Sequence, residues 1–364
     1  MKIVVIGAGI AGLSCAITLR KGGHEVVIAE RYQFFREVGL GFVIMPNGLA
    51  ALDAIGVGSA VRDNGCMLQH AILQDVQGNT IKTDAIPNCL GIKRSRIIDA
   101  LNALLPQDIF VTGFHFSHFN FNASGKAIEA VSEDGKTLAA DLFVAADGAN
   151  SFTRNSLFPE HTLRQTNIQE LVGIATVPAL MHQINANLLK TQNFEANLSF
   201  GILPCGKHQV IWYMQFNSEK YPLTDLTDIG KKQFTKKHLA GWPEMVQKVL
   251  AATEFSKVFL WVTRDMDVMP QWHRENIVLA GDAAHLALPF TSQGTNSALD
   301  DAFELGKLLA NANADSDFNA LFQQYHAQRV EAIERYLQFG RMLEQRFLYP
   351  EQFAQEEMPL PLAK

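Results

Sequence analysis

Residues 2–30 constrain the fold more than any other stretch of the chain. A continuous apolar run, Ile3-Val4-Val5-Ile6, passes directly into Gly7-Ala8-Gly9-Ile10-Ala11-Gly12. An unbroken apolar run without alternation predicts a parallel strand buried on both faces. Ala11 to Leu19 then reads as a helix of small and apolar residues, stopped by Gly22-Gly23. Val26-Val27-Ile28-Ala29 repeats the buried-strand pattern and ends at Glu30. The result is a compact βαβ unit. In such a unit the first glycine permits the tight turn, the second lets a pyrophosphate approach the backbone, and the third lets helix and strand pack closely. The helix N-terminus presents free N–H groups to phosphates, and Glu30 can accept hydrogen bonds from a ribose diol. Glycine-rich turns recur by chance, but here strand, helix and acidic residue all stand where a dinucleotide needs them. Glu30 would repel a 2′-phosphate, so the site suits FAD or NAD better than NADP. The unit alone does not choose between those two.

At 364 residues the chain is long enough for two domains. Its 48% hydrophobic and 19% charged residues are ordinary for a folded protein. With a formal net charge of -6 and no long basic stretch, nothing points to nucleic acid. The pairs Lys231-Lys232 and Lys236-Lys237 read as solvated helix faces. Cys15, Cys66, Cys89 and Cys205 are scattered without a CxxC pair, which suits a reducing compartment and offers no zinc site. The first strand leaves no room for a signal peptide, and no apolar stretch approaches the roughly 20 residues of a membrane span. A cytoplasmic address follows as the expectation.

Further along, Leu49 to Ile55 looks helical, Ala71 to Ile86 strand-like, and Arg96 to Leu105 helical again. Short strands and turns such as Asp134-Gly135 suggest a β-meander from Ile109 to Val144. From about Gln165 to Val262 strand-like runs (Leu171–Val177, Leu198–Leu203, Val210–Phe216) are followed by helical stretches including Glu244–Ala252. Ile277–Ala280 returns to the buried-strand pattern. Helices over Ser297–Leu309 and, amphipathic and long, Phe318–Phe347 close the chain before Pro350.

Two later motifs decide the cofactor. One is Ala145-Ala146-Asp147-Gly148-Ala149-Asn150-Ser151 with Arg154 beyond it. The other is Gly281-Asp282-Ala283-Ala284-His285, followed by Pro289 and Gln293-Gly294-Thr295-Asn296. Together with the N-terminal unit, Gly241-Trp242, and Tyr325 with Arg329, they resemble the set that marks FAD-dependent aromatic hydroxylases, the para-hydroxybenzoate hydroxylase family of group A flavoprotein monooxygenases. The resemblance implies an α/β fold: a Rossmann-type FAD-binding domain with an inserted α+β substrate domain on a mixed sheet, and a long C-terminal helix. The expected division gives 1–70, 91–162 and 271–364 to the FAD domain, and 71–90 and 163–270 to the substrate domain.

Residue by residue, the resemblance implies that Gly7, Gly9, Ile10, Ala11 and Gly12 hold the phosphates and that Glu30 with Arg31 holds the adenosine ribose. Val43, within Gly39-Leu40-Gly41-Phe42-Val43-Ile44, would lie along the cofactor. Arg94 would reach the ribityl and pyrophosphate region, and Phe110 the adenine end through its backbone. Asp147 belongs to a motif associated with FAD and pyridine nucleotide. Gly281 and Asp282 would meet the ribityl and pyrophosphate, and Gly294, Thr295 and Asn296 would bring backbone N–H groups to the flavin's carbonyl edge, where a helix N-terminus stabilises negative charge. Thr291 and Ser292 depart from the family's usual glycines. His285 reads as a packing and capping residue rather than a general base, and no catalytic acid or base is assigned. Pro289, Trp212, Tyr213 and Phe216 are the expected pocket residues. The run Phe110, Phe114, Phe116, Phe119, Phe121 reads as a half-buried strand.

The implied activity is insertion of one oxygen atom from dioxygen into a small aromatic or electron-rich substrate, with NADH or NADPH reducing the FAD and a flavin hydroperoxide as oxidant. With only one dinucleotide fingerprint, the nicotinamide cofactor is expected to visit transiently. An FAD-dependent reductase or oxidase, a halogenase, or a non-catalytic flavin-binding protein would share the scaffold. No thioredoxin-like C-terminal domain is expected after the final helix, which favours a compact two-domain enzyme acting on a small soluble compound; a monomer or homodimer is expected.

Overall fold

The structure, a computed structural model, describes residues 1–33, 40–353 and 356. Gly39 of the segment leading to Val43 lies outside them. The apolar run becomes the strand Lys2–Ile6, in which Ile3, Val4 and Val5 are fully buried. It sits inside a six-stranded sheet ordered His273–Arg274, Ile277–Leu279, Leu142–Ala145, Lys2–Ile6, Glu25–Glu30, Phe110–Thr112. All neighbours pair in parallel except the first two. The helix Ile10–Lys21 crosses between the first two strands in sequence and packs on the helix Gln293–Leu309, where Thr18 Oγ1 donates to Ala302 O at 2.8 Å. Gly306 makes the approach possible, since a Cβ there would stand 2.6 Å from Thr18 Cβ. The N-terminal unit is thus completed by chain nearly 300 residues later in sequence.

Two expectations change in detail. The meander is confined to Phe116–Phe121, Ala127–Ser132 and Thr137–Ala139, which form a separate three-stranded sheet. Leu142–Ala145, apolar throughout and buried on both faces, is taken up by the parallel sheet instead. The strand-like stretch 71–86 is two strands, Cys66–Gln74 and Thr80–Lys93, paired antiparallel. Asp75 turns the chain between them, its Oδ1 accepting from the N–H groups of Gln77 and Asn79.

Both strands belong to an eight-stranded mixed sheet ordered Phe259–Asp265, Arg164–Thr176, Gln209–Asn217, Leu198–Pro204, Leu188–Asn193, Cys66–Gln74, Thr80–Lys93, Gly41–Ile44. Only Leu188–Asn193 and Cys66–Gln74 pair in parallel. One face is covered by the helices Asp228–His238 and Glu244–Ala251, whose Phe234, Val246 and Val249 share a core with Trp212, Met214 and Phe216. Lys231 belongs to this buried side rather than to a solvated face: it is 8% exposed and donates to Val258 O at 2.7 Å. Lys232, Lys236 and Lys237 are exposed.

The closing helix, Phe318–Leu348, ties the eight-stranded sheet to the helix Gln293–Leu309 through charge. Arg341 and Arg164 each bond the fully buried Asp265, with Nε contacts of 2.8 Å, and Arg164 also reaches Glu344 at 2.7 Å. Burial alone would raise the Asp265 carboxyl, but the hydrogen bonds and charges of the two guanidinium groups hold it below the usual range. A second node is Asp301, also fully buried, which accepts from Gly281 N–H at 2.8 Å, meets His285 Nε2 at 2.6 Å and accepts from Arg329 Nε at 2.9 Å. Among the described residues, no helix is long and apolar enough to cross a membrane, and no cluster of metal-ligating side chains occurs.

Replacing Asp301 takes from the buried Arg329 its closest carboxylate and leaves only the longer pair with Asp300 Oδ2 at 3.4 Å. Asp301→Asn should therefore cost about 3 kcal/mol in urea unfolding at pH 7. The Asp301 carboxyl is held well below its usual range by His285 and Arg329 against the opposing effect of burial. A depressed carboxyl stabilises above its unfolded value, so the difference between parent and variant should persist from neutrality down to about pH 4 and shrink below it.

Candidate functional site

The glycine turn has the space its sequence implies. Gly7 has φ of +103°, and a Cβ there would lie 2.4 Å from Ala146 O. At Gly12 a Cβ would lie 1.9 Å from Gly7 O, so only glycine lets helix and strand approach. Gly9 differs: the nearest atom to a Cβ there is Arg94 Nη2, at 3.7 Å. Space is therefore open in front of the helix N-terminus, where no side chain caps Ile10 and Ala11. Glu30 Oε2 accepts from Ala8 N–H at 2.7 Å and Oε1 from Tyr32 N–H at 2.9 Å, fixing the carboxylate at the strand end with lone pairs to spare. Arg31 is exposed, stacked 4.9 Å over the Tyr32 ring. Phe110 opens the edge strand beside Ile28.

Arg94 stands between the two halves of this cradle. Burial lowers its pKa, while Asp282 and Glu30 act in the opposite direction, so its guanidinium senses both carboxylates. Asp282 is half-buried, and burial raises its carboxyl against the charges of His285, Arg94 and Arg154. Gly281, with φ of +62°, packs against Ala11, where a Cβ would come within 2.9 Å of the alanine's methyl. The glycine motifs at residues 7 and 281 are thus in contact.

Asp147 serves its own loop: it accepts from Ser151 Oγ at 2.5 Å and from Thr153 N–H at 3.1 Å. Arg154, 1% exposed, ties that loop to the next motif, donating to Ala149 O at 2.9 Å and Asp282 O at 3.2 Å. Its bridging role was not readable from sequence, because both of these acceptors are backbone carbonyls.

Asn296 was expected to offer its backbone; its side chain carries the larger consequence. Oδ1 accepts from Met45 N–H at 2.9 Å and Nδ2 donates to Val43 O at 3.1 Å. This fastens the strand Gly41–Ile44 to the first turn of the helix Gln293–Leu309, which begins four residues before the expected Ser297. Gly48 leaves room, since a Cβ would lie 2.0 Å from Asn296 Oδ1. No side chain caps that helix either, so Gly294 and Thr295 carry N–H groups without a capping side chain. A helix N-terminus open at each end of one cradle, a carboxylate at the ribose position and an arginine between them fit an FAD.

The expected pocket residues separate. Trp212 and Phe216 are fully buried on the helix-covered face; Trp212 stacks on Phe200 at 5.4 Å and donates to Thr253 Oγ1 at 2.8 Å. They are core, and their assignment to the pocket is corrected. Period-two alternation sends Tyr213 to the opposite face, which it shares with Ile211 and Leu203; those two cluster with Val43 and Met45. Pro289 is exposed and opens a single turn, Pro289–Thr291. Thr291 packs against Gly340 of the closing helix. Ser292 takes φ of +54°, the left-handed region that glycine adopts without strain. Ser292→Gly should consequently raise the unfolding free energy by about 1 kcal/mol, read from the urea midpoint.

Comparison with known proteins agrees with this geometry. The family model described as an FAD binding domain matches residues 1–340. 3-Hydroxybenzoate 6-hydroxylase of Klebsiella oxytoca is 26% identical, over 92% of this chain and 86% of its own. Aurachin C monooxygenase/isomerase of Stigmatella aurantiaca is 25% identical, over 91% and 85%. Klebsiella pneumoniae HpxO, solved with FAD and uric acid, superposes with a TM-score of 0.88 at 20% identity, covering 98% of this chain and 91% of that one. The chain belongs to the FAD-binding-domain family and is an FAD-dependent oxidoreductase.

Proposed function

We propose that the protein is an NAD(P)H-dependent monooxygenase that hydroxylates a small aromatic substrate. The observation that carries this reading is the meeting of the residue 7–12 turn, Glu30, Arg94, Asp282 and the Gln293 helix in one cradle. The curated relatives, named as monooxygenases and hydroxylases, favour oxygen insertion over the reductase, oxidase or halogenase alternatives. When bound, FAD supplies the redox chemistry, taking electrons from the nicotinamide and activating dioxygen.

In this reading the chain's own residues bind, orient and exclude water. The N–H groups of Ile10, Ala11 and Gly12 hold the pyrophosphate, assisted by Arg94. Glu30 holds the ribose, with Arg31 beside it, and the Phe110 backbone borders the adenine. Gly281 and Asp282 meet the ribityl chain, Asp147 shapes the adjoining loop, and Val43 lines the ring. Gly294, Thr295 and Asn296 present their N–H groups to the ring's carbonyl edge, where they stabilise negative charge. The substrate lies on the Tyr213 face of the eight-stranded sheet, near Pro289. The division into a cofactor domain (1–70, 91–162, 271–364) and a substrate domain (71–90, 163–270) belongs to the same proposal, with the sheet's reach into 41–44 and 66–70 joining the two. The four free cysteines support a reducing, cytoplasmic setting, and a monomer or homodimer acting on a small molecule rather than a nucleic acid.

Removing the cofactor contacts tests the cradle: Glu30→Ala and Arg94→Ala should each weaken FAD binding by about tenfold or more in titrations of the flavin-free protein. The activity is tested with a panel of phenols, hydroxybenzoates and nitrogen heterocycles. A substrate should accelerate flavin reduction by NADH or NADPH and gain one oxygen atom by mass spectrometry; flavin reduction without any oxygen gain across the panel would count against hydroxylation.

A further inference from the structure

The inner face of the eight-stranded sheet is graded in polarity. Cross-strand register places Leu73, Lys190, Gly201, Tyr213 and Val172 in one row, because each is the partner of the next. Two residues along, Gln192, Ser199, Gln215 and Glu170 form a polar row. Two residues the other way, Ala71, Leu188, Leu203, Ile211 and Ile174 are apolar and join Val43 and Met45 in one cluster. That apolar row approaches the strand which Asn296 fastens to the Gln293 helix, since a Cβ at Gly41 would lie 2.5 Å from Ile211 Cδ1.

The polar row and the row of Lys190 and Tyr213 differ in what their groups hold. Ser199 Oγ donates to Gln215 Oε1 at 2.8 Å, and Gln215 Nε2 donates to Glu170 Oε1 at 2.7 Å, so three of that row's four side chains are linked to one another. Lys190 and Tyr213 are half-buried, and among the described residues neither the ammonium nor the phenol has a hydrogen bond or an ion pair. Gly201 stands between them in the cross-strand row and leaves the way from one to the other open. The Tyr213 ring lies across it, Cζ and Oη standing 2.0 and 2.5 Å from where a Cβ would be, which advances the hydroxyl toward the Lys190 strand. An ammonium kept out of bulk water without a partner is costly. Its burial also draws the Lys190 pKa down to about 8, with Glu170 resisting.

We infer that Lys190 and Tyr213 form the anion-accepting end of the substrate pocket, holding a carboxylate or acidic hydroxyl while the aromatic ring lies over the apolar row. Lys190 is then the specificity-determining residue. Two residues of strand rise separate the rows, about 7 Å, which sets the ring between the anion and the flavin side. The inference rests on the hydroxylase reading for the ring's fate but not for the binding. Glu170 lies close enough to influence Lys190, but its Oε1 is engaged by Gln215 and no ion pair joins it to the ammonium, which leaves the ammonium for a ligand.

The test uses FAD-loaded protein titrated with 3- and 4-hydroxybenzoate, the matching hydroxybenzamides and phenol, read by flavin absorbance and by calorimetry. An acid should bind about tenfold or more tighter than its amide. Lys190→Met should abolish that preference while leaving amide affinity and thermal stability nearly unchanged, and Lys190→Arg should keep most of it. Tight phenol binding that also depends on Lys190 would assign the anion to an acidic hydroxyl rather than a carboxylate. The inference is overturned if the parent shows neither an acid preference nor a Lys190-dependent affinity for phenol. It is overturned equally if Lys190→Met binds acid and amide as the parent does, or if the variant merely loses stability with selectivity intact. Selective binding without oxygen gain in any bound compound would sink the hydroxylase reading and leave the subsite standing.

Discussion

The buried carboxylate of Asp301 ties its own helix to two other segments, residues 281–285 and the closing helix. It takes an N–H from Gly281 at the end of a parallel strand, the ring of His285 one turn later, and the guanidinium of Arg329 from the closing helix. Asp301 itself rides on the helix whose N-terminus faces the cradle. The position of that N-terminus relative to Asp282 is therefore set by interactions that exclude water, where each bond depends strongly on the others being made. His285 is consumed in this arrangement, which leaves its imidazole holding the frame rather than serving a reacting atom.

The second sheet solves a different problem, that of giving its two faces different surroundings. Alternation along a strand does this without any special sequence. Trp212 and Tyr213 are neighbours in the chain and lie on opposite sides of the sheet, one stacked on Phe200 beneath helices and the other across Gly201. Glycines at 173 and 201 admit these two rings, each lying where a side chain on the next strand would otherwise stand.

The βαβ unit was legible because glycine spacing, buried-strand pattern and a terminal acid are local, and each has one steric or electrostatic reason. The motifs at 145–151 and 281–285 were legible only through the family resemblance, and Gly281 lies in contact with Ala11 of the first turn. What could not be read were facts of pairing. Aromatic residues on a strand look alike until register decides which face each takes, so Trp212 and Phe216 passed for pocket residues. The hairpin within 66–93 was hidden because a turn built on the Asp75 side chain leaves little mark on hydropathy. Arg154 and Asn296 act mainly on backbone groups of distant segments, and no spacing rule announces such partners.

Asn296 illustrates how much can hang on a single primary amide. Accepting from Met45 N–H and donating to Val43 O, it completes the edge of the strand Gly41–Ile44 much as another peptide unit would. The carboxamide supplies a donor and an acceptor together, in a site with no accessible surface. Hydrolytic loss of ammonia from this side chain, a common route of protein ageing, would replace the donor with a second acceptor facing a carbonyl. A change of one mass unit there would unfasten the strand without disturbing the glycine turn or the Glu30 carboxylate, so the damage would fall on the Asn296 end of the cradle.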